Sequence, residues 1–155
     1  TPVSVKNSSL VFHHDMSHTA ISENNQNHQT FYDLYLSKVP IQLASNTASG
    51  GDLNISIRVY SSTGYVPGNG ITDIEANIDG LKWIVRTGSN FVQFMAAENE
   101  LDVAGDLKLK SFIEYLKTKN SIPSIEDYYL HSIELGNEQI AGAAILKILG
   151  FHVKQ

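Results

Sequence analysis

Residues 52–60, Asp-Leu-Asn-Ile-Ser-Ile-Arg-Val-Tyr, alternate strictly between polar and apolar side chains. The apolar side chains that share one face are Leu53, Ile55, Ile57 and Val59. A period of two is typical of a β-strand that packs one face on a hydrophobic core. The opposite face carries Asn54, Ser56 and Arg58, and it lines either solvent or a groove. We therefore look for function on the polar face of this strand.

Segments that favour strands recur along the chain, separated by polar or glycine-containing stretches. The further strands predicted are residues 9–12, 31–36, 73–78, 81–86, 91–97, 128–135 and 144–153. Asp79 and Gly80 separate two of them and predict a tight hairpin turn. Many short strands with little helix are typical of a sandwich. We predict an all-β fold, a β-jelly-roll sandwich of two antiparallel sheets, with residues 1–155 forming a single domain.

One segment has helical spacing instead. From about Gly105 to Lys119, apolar side chains recur at every third or fourth position, and lysines gather near the end. Asp106 is the expected N-cap, and the lysines suit the helix dipole. We expect this single α-helix to pack across one of the sheets.

The composition limits the classes of function. The chain has 155 residues, of which 42% are hydrophobic, so it is long enough for one sizeable core. Its formal net charge of -5 excludes a basic footprint for nucleic acid. No apolar run is long enough for membrane insertion. Cysteine is absent, which excludes disulfides and thiolate metal sites, and we expect no metal and no cofactor.

Two features bear on the compartment. Asn-x-Ser/Thr sequons occur at Asn7 and Asn54, which makes both candidates for glycosylation in a secretory pathway. The richness in Asn, Ser, Thr, Gly and Tyr is typical of secreted all-β proteins. We expect an extracellular protein. Because its first residues do not resemble a signal peptide, we expect that any secretion signal has already been removed.

The histidines of the N-terminal segment form a possible metal pattern. His14 and His18 would share one face of a helix and bind a divalent ion. The flanking Ser, Thr and Asn do not favour a helix. We therefore interpret residues 13–18 as exposed strand and loop, and the polar run 22–29 as a loop between strands.

Four stretches of the chain, taken together with their order and spacing, resemble the later part of glycoside hydrolase family 12, the β-jelly-roll endoglucanases and xyloglucanases. Tyr32–Ser37 is similar to the family's Tyr-Asp-Leu-Phe-Thr-Ser, and Gly136–Gly142 to its Gly-Thr-Glu-Pro-Phe-Thr-Gly. The other two are the strand through Asn54 and Gly105–Leu107 with the helix after it. The resemblance runs from Ser4 to the C-terminus and implies the family's fold. It also implies the family's chemistry, retaining hydrolysis by two carboxylates.

The resemblance assigns positions to individual residues. Glu138 matches the family's acid/base glutamate, and Asn54 falls where the family has its nucleophilic glutamate. An amide cannot form a glycosyl-enzyme. Asp33 matches an aspartate that hydrogen-bonds the nucleophile. Ser56 and Arg58 fall on a methionine and a sugar-stacking tryptophan of the nucleophile strand.

An inverting reaction is an open alternative. It needs a wider pair of carboxylates, which Asp52 or Asp33 as base and Glu138 as acid would supply. Asp52 lies about 6.6 Å along the strand from Asn54, too far to replace the nucleophile.

A glycan-binding groove without a reaction is a second alternative. Ser56, Arg58 and Tyr65 would then contact the polysaccharide. Sugars usually stack on aromatic rings, and the tyrosines available for this are Tyr60, Tyr65, Tyr128 and Tyr129. The single tryptophan, Trp83, lies in a stretch that predicts core.

The family's first strands have no counterpart before Thr1. Missing strands leave unpaired backbone groups along sheet edges and an uncovered apolar strip. We expect residues 1–9 and 143–153 at a contact that forms a homo-oligomer or filament. The leading hypothesis is a non-catalytic, extracellular structural or interaction subunit that self-associates. The alternatives are a pseudoenzyme that binds β-glucan or xyloglucan, and an endo-β-glucanase that uses Glu138.

Overall fold

The computed structural model describes residues 3–7, 9–20, 27–40, 53–62, 74–97, 104–119, 121–142 and 144–154. Its strands are β1 (Val3–Ser4), β2 (Val11–Ala20), β3 (Asn27–Ser37), β4 (Leu53–Ser61), β5 (Ile74–Ile78), β6 (Leu81–Thr87), β7 (Phe91–Ala96), β8 (Ala104–Lys108), β9 (Tyr129–Ala141) and β10 (Ala144–Lys154). The α-helix is α1 (Leu109–Lys119), and short 3-10 turns cover Val5–Asn7 and Ile125–Asp127.

The strands form two sheets packed into a sandwich. The larger sheet has the order β1-β9-β3-β4-β7-β6-β5, and the smaller has the order β10-β2-β8. The predicted all-β sandwich with one helix is confirmed. Neighbouring strands are antiparallel except for β4 and β7, which run parallel. The last strand of the β5–β6–β7 meander is the one that lies beside β4, and the first forms the far edge of the sheet.

The alternation of β4 is confirmed in the structure. Leu53, Ile55, Ile57 and Val59 are buried, and the residues between them are half-buried on the opposite face. Trp83 is also buried, as predicted, at the centre of the same hydrophobic cluster. The β5–β6 hairpin turns at Asp79 and Gly80, both with positive φ, which is the geometry that a tight primed turn requires.

The helix begins later than predicted. Residues 104–108 form β8, which pairs with β2, and α1 starts only at Leu109. Asp106 is therefore not a helix cap; its carboxylate bonds His13 of the neighbouring strand. The helix buries Leu109, Phe112, Ile113 and Leu116. It packs on the inner face of the larger sheet through ring contacts of Phe112 with Trp83 and Phe94.

The N-terminal histidines lie on a full strand, not on a strand and loop. β2 runs over ten residues, and His14 faces the core with Phe12 and Met16. Pairing with β10 on one side and β8 on the other holds this strand in place. Likewise β3 begins at Asn27, inside the run predicted to be a loop. The rest of that run lies outside the described residues.

One side of the sandwich is uncovered among the described strands. β10 pairs with β2 alone, and the outer edge of β9 pairs with β1 only at two residues. Ile148, Phe151 and Val153 of β10 share a face with the buried residues of β2, yet they remain 39–49% exposed. The term open side refers to these three residues of β10 together with Ile133 and Leu135 on the inner face of β9.

None of the described helices is long and apolar enough to cross a lipid bilayer.

Candidate functional site

A polar groove lies on the face of the larger sheet that points away from the core. It has a volume of about 280 Å³ and is formed by residues of β3, β4, β7 and β9. The lining residues are Gln29, Phe31, Asp33, Asn54, Ser56, Arg58, Gln93 and Glu138. The alternation of each strand places these side chains opposite the core. Five predicted site residues share this groove: Asp33, Asn54, Ser56, Arg58 and Glu138.

Asp33 lies at the centre of the groove and keeps two hydrogen-bond partners. Ser56 is its cross-strand neighbour on β4, and both the Ser56 hydroxyl and the Asn54 amide bond the Asp33 carboxylate. Burial raises the pKa of Asp33, and the charges of Glu134 and Glu138 act in the same direction. The bonds from Ser56 and Asn54 oppose this rise. Asn54 therefore stabilises the carboxylate form of Asp33 as a neutral donor.

Glu138 lies at one end of the groove, on the surface of β9. Its backbone neighbour across the sheet is Gln29, and the Gln29 side-chain amide donates to the Glu138 carboxylate. Glu138 lies within β9, three residues before the strand ends. The register places Gln29 six residues before Tyr35, the neighbour of Asn54. Glu138 and Asn54 thus approach the groove from opposite ends of β3.

Phe31 provides an aromatic wall for the groove. Its ring lies against Gly136 of β9, where an added Cβ would come within 2.9 Å of a ring carbon. Glycine allows this close approach, because a side chain at position 136 would displace the ring. Four tyrosines were predicted as rings on which a sugar could stack, and Phe31 was not among them. Tyr128 is buried and Tyr60 packs on His28, so neither lines the groove.

Several predicted residues lie elsewhere or outside the described part of the chain. Tyr65 and Asp52 fall outside it. Asn7 lies in the 3-10 turn after β1, and Asn54 sits within β4 with its amide bonded to Asp33. Gln29 and Gln93 were not predicted. The alternation of β7, where Val92 and Phe94 are buried, is the signal that places Gln93 on the groove face.

The groove offers carboxylate and amide oxygens, but the described residues contain no group of three or more His, Asp or Glu side chains with the geometry to hold a metal ion. The side chains that line the groove offer hydrogen-bonding groups, charge and one aromatic ring.

No protein-family model matches the sequence, and no curated protein sequence matches it either. The three-dimensional structure is similar to those of family 12 glycoside hydrolases. Endoglucanase 3 from Trichoderma harzianum superimposes with a TM-score of 0.78 at 20% identity, covering 99% of this chain and 65% of that one. An endoglucanase from Rhodothermus marinus gives 0.76 at 24% identity, with coverage of 99% and 65%.

A family 12 xyloglucanase from Bacillus licheniformis superimposes with a TM-score of 0.75 at 20% identity, again covering 99% of this chain and 65% of the other. The chain thus spans about two thirds of the length of each of these enzymes. TM-scores of 0.75–0.78 over 99% of this chain establish a common architecture. The protein therefore has the fold of the family 12 glycoside hydrolases.

Proposed function

We propose that this protein is a non-catalytic, extracellular structural or interaction subunit that self-associates through its open side. The observation that carries the proposal is the exposure of apolar side chains on an unpaired edge. Ile148, Phe151 and Val153 face inward but are uncovered, and β10 has one strand neighbour in the described part of the chain. Such an edge is a template for pairing with another strand.

The charges of β10 are compatible with a second copy as the occupant. An antiparallel pairing of two β10 strands with Ile148 opposite Phe151 places Lys147 opposite His152 and Lys154 opposite Ile145. Neither lysine then faces another lysine, so like charges do not oppose the contact. The pairing also brings the inward apolar residues of both copies together, and their burial would stabilise the dimer. A two-fold contact of this kind is isologous.

The absence of catalysis is supported by the chemistry of Asn54. By the family resemblance it occupies the nucleophile position, and its amide is engaged as a donor to Asp33. A retaining hydrolase needs a carboxylate there to attack the anomeric carbon. The inverting alternative would use Asp33 as base and Glu138 as acid, both of which line the groove, and the hydrolysis assay of Glu138→Gln tests it. An extracellular site is supported by the sequon at Asn7 and by the composition.

Substituting a residue of the open side tests self-association. Ile148→Lys should shift the protein from a multiple of the 17.1 kDa chain mass towards the single-chain mass in light scattering, because a charge would have to be buried at the contact. The control is Ile74→Lys, since Ile74 is equally exposed but lies on the far edge strand β5. Equal masses for the wild type and Ile148→Lys at every concentration would contradict the proposal.

Glycan binding in the groove is a second candidate function. It is favoured by a specific observation: Phe31, an aromatic wall, stands beside the polar side chains of the groove. An aromatic face with convergent polar groups is a common arrangement for sugar recognition. The two functions are compatible, because the groove lies on the outer face of the larger sheet and the open side lies between the sheets.

A further inference from the structure

The chain contains two arginines, Arg58 and Arg86, and both lie on the groove face of the larger sheet. Arg58 is on β4, opposite the buried Ile57 and Val59. Arg86 is on β6, next to the buried Val85, and its cross-strand neighbour is the groove residue Gln93. All other basic side chains of this chain, apart from histidines, are lysines. Arginine is the side chain whose planar fork fits a carboxylate in two hydrogen bonds.

Arg58 has no carboxylate counter-ion among the described residues, where the ion pair that forms is His13 with Asp106. Its guanidinium is half-buried in the groove. Burial lowers the pKa of Arg58, and repulsion from Arg86 acts in the same direction, ahead of the opposing attraction to Glu138. Because repulsion from Arg86 outweighs the attraction to Glu138 at this half-buried cation, the site favours an added anion.

The acids and the bases are separated across the groove. Paired residues on five successive strands, from β9 to β6, form one row across the sheet: Glu134, Asp33, Ser56, Gln93 and Arg86. The acidic end spans β9 and β3, and the basic residues stand on β4 and β6. Five strands at about 4.8 Å spacing separate the two ends by roughly 19 Å. A chain of many negative charges would be repelled at the acidic end, whereas a single negative charge above Arg58 would not.

We propose that the groove binds a β-linked glycan that carries an isolated carboxylate, as in a uronic acid residue, with that carboxylate on Arg58. This inference rests on the second proposed function, glycan binding in the groove. Phe31 is the direct cross-strand neighbour of Arg58, so the same sugar can lie on the ring while its carboxylate meets the guanidinium. The neighbouring uncharged sugars then reach Ser56, Gln93 and Asp33, whose side chains bond hydroxyl groups.

The test compares two matched ligands by calorimetry: cellotetraose, and the same tetrasaccharide with its non-reducing-end glucose oxidised to glucuronate at C6. We expect the acidic ligand to bind at least about tenfold more tightly, the gain expected of one charge-assisted bidentate contact. Arg58→Gln should remove this preference, so that the dissociation constants of the two ligands become about equal. Arg58→Lys, which keeps the charge without the fork, should retain part of it. Thermal melting of each variant checks that it is folded.

Lys117→Gln is the matched control, because it removes the same charge from an exposed position on α1, on the other face of the sheet. It should leave the preference unchanged. Equal binding of both ligands, or loss of the preference in Lys117→Gln as well, would overturn the acidic-glycan inference while glycan binding stands. No binding of either ligand by the wild type would overturn the inference and the glycan-binding function together.

Discussion

Phe112→Ala lowers the free energy of unfolding by about 3–5 kcal/mol, the usual loss for truncating a buried aromatic side chain. Phe112 is buried on the inward face of α1, and its ring meets Trp83 at 5.1 Å and Phe94 at 4.9 Å, both edge-on. Edge-to-face rings add to the free energy gained by burial alone. The substitution therefore leaves a cavity at the contact that holds the helix on the larger sheet.

Urea denaturation followed by circular dichroism measures this loss. The control is Glu114→Ala, because Glu114 is exposed on the same helix, and its removal should cost less than about 0.5 kcal/mol. The contact also supports the groove: Phe94 is on β7 directly after the groove residue Gln93. A loss below about 1 kcal/mol for Phe112→Ala would show that the helix does not pack as described.

Tyr32→Phe lowers the free energy of unfolding by about 1–3 kcal/mol, the cost of leaving a buried polar atom without its hydrogen bond. The Tyr32 hydroxyl and the His14 Nδ1 lie 2.7 Å apart, and both residues are fully buried between the sheets. Removing the hydroxyl leaves that nitrogen without this bond, while the phenyl ring keeps its contacts with Phe12 and Phe151. The loss is therefore electrostatic and not a packing defect.

The matched control is Tyr35→Phe, since Tyr35 lies three residues along the same strand on the groove face and is only half-buried. Its loss should stay within about 0.5 kcal/mol. Chemical denaturation of the two variants side by side gives the comparison. If both variants lose the same stability, the His14 to Tyr32 bond contributes nothing specific to the fold.

The strands that the sequence predicts best are those whose alternation is entirely apolar on one face. β4 is the clearest case, because Leu53, Ile55, Ile57 and Val59 are all buried. β2 was predicted only in part, because His14 occupies an inward position and a histidine interrupts the apolar pattern. Its burial is explained by Tyr32, eighteen residues away, so no local pattern could reveal it.

The predicted start of the helix was wrong for a similar reason. Residues 105–108 suit the start of a helix locally, yet Leu107 pairs with Phe12 of β2 and is buried there. Pairing between distant strands overrides a local preference. The same non-local information decides which groove residues meet: a period of two places Asp33 and Phe31 on one face, but only the register brings Arg58 beside Phe31 and Gln29 beside Glu138.

The most direct test of the central claim is the release of reducing sugar from β-glucan and xyloglucan by the wild-type chain and by Glu138→Gln, with an active family 12 endoglucanase assayed in parallel. Because Asn54 supplies an amide where retaining hydrolysis needs a carboxylate, the account predicts release at the level of the buffer blank for both forms. Release above the blank that Glu138→Gln abolishes would contradict the account and show that the groove is catalytic.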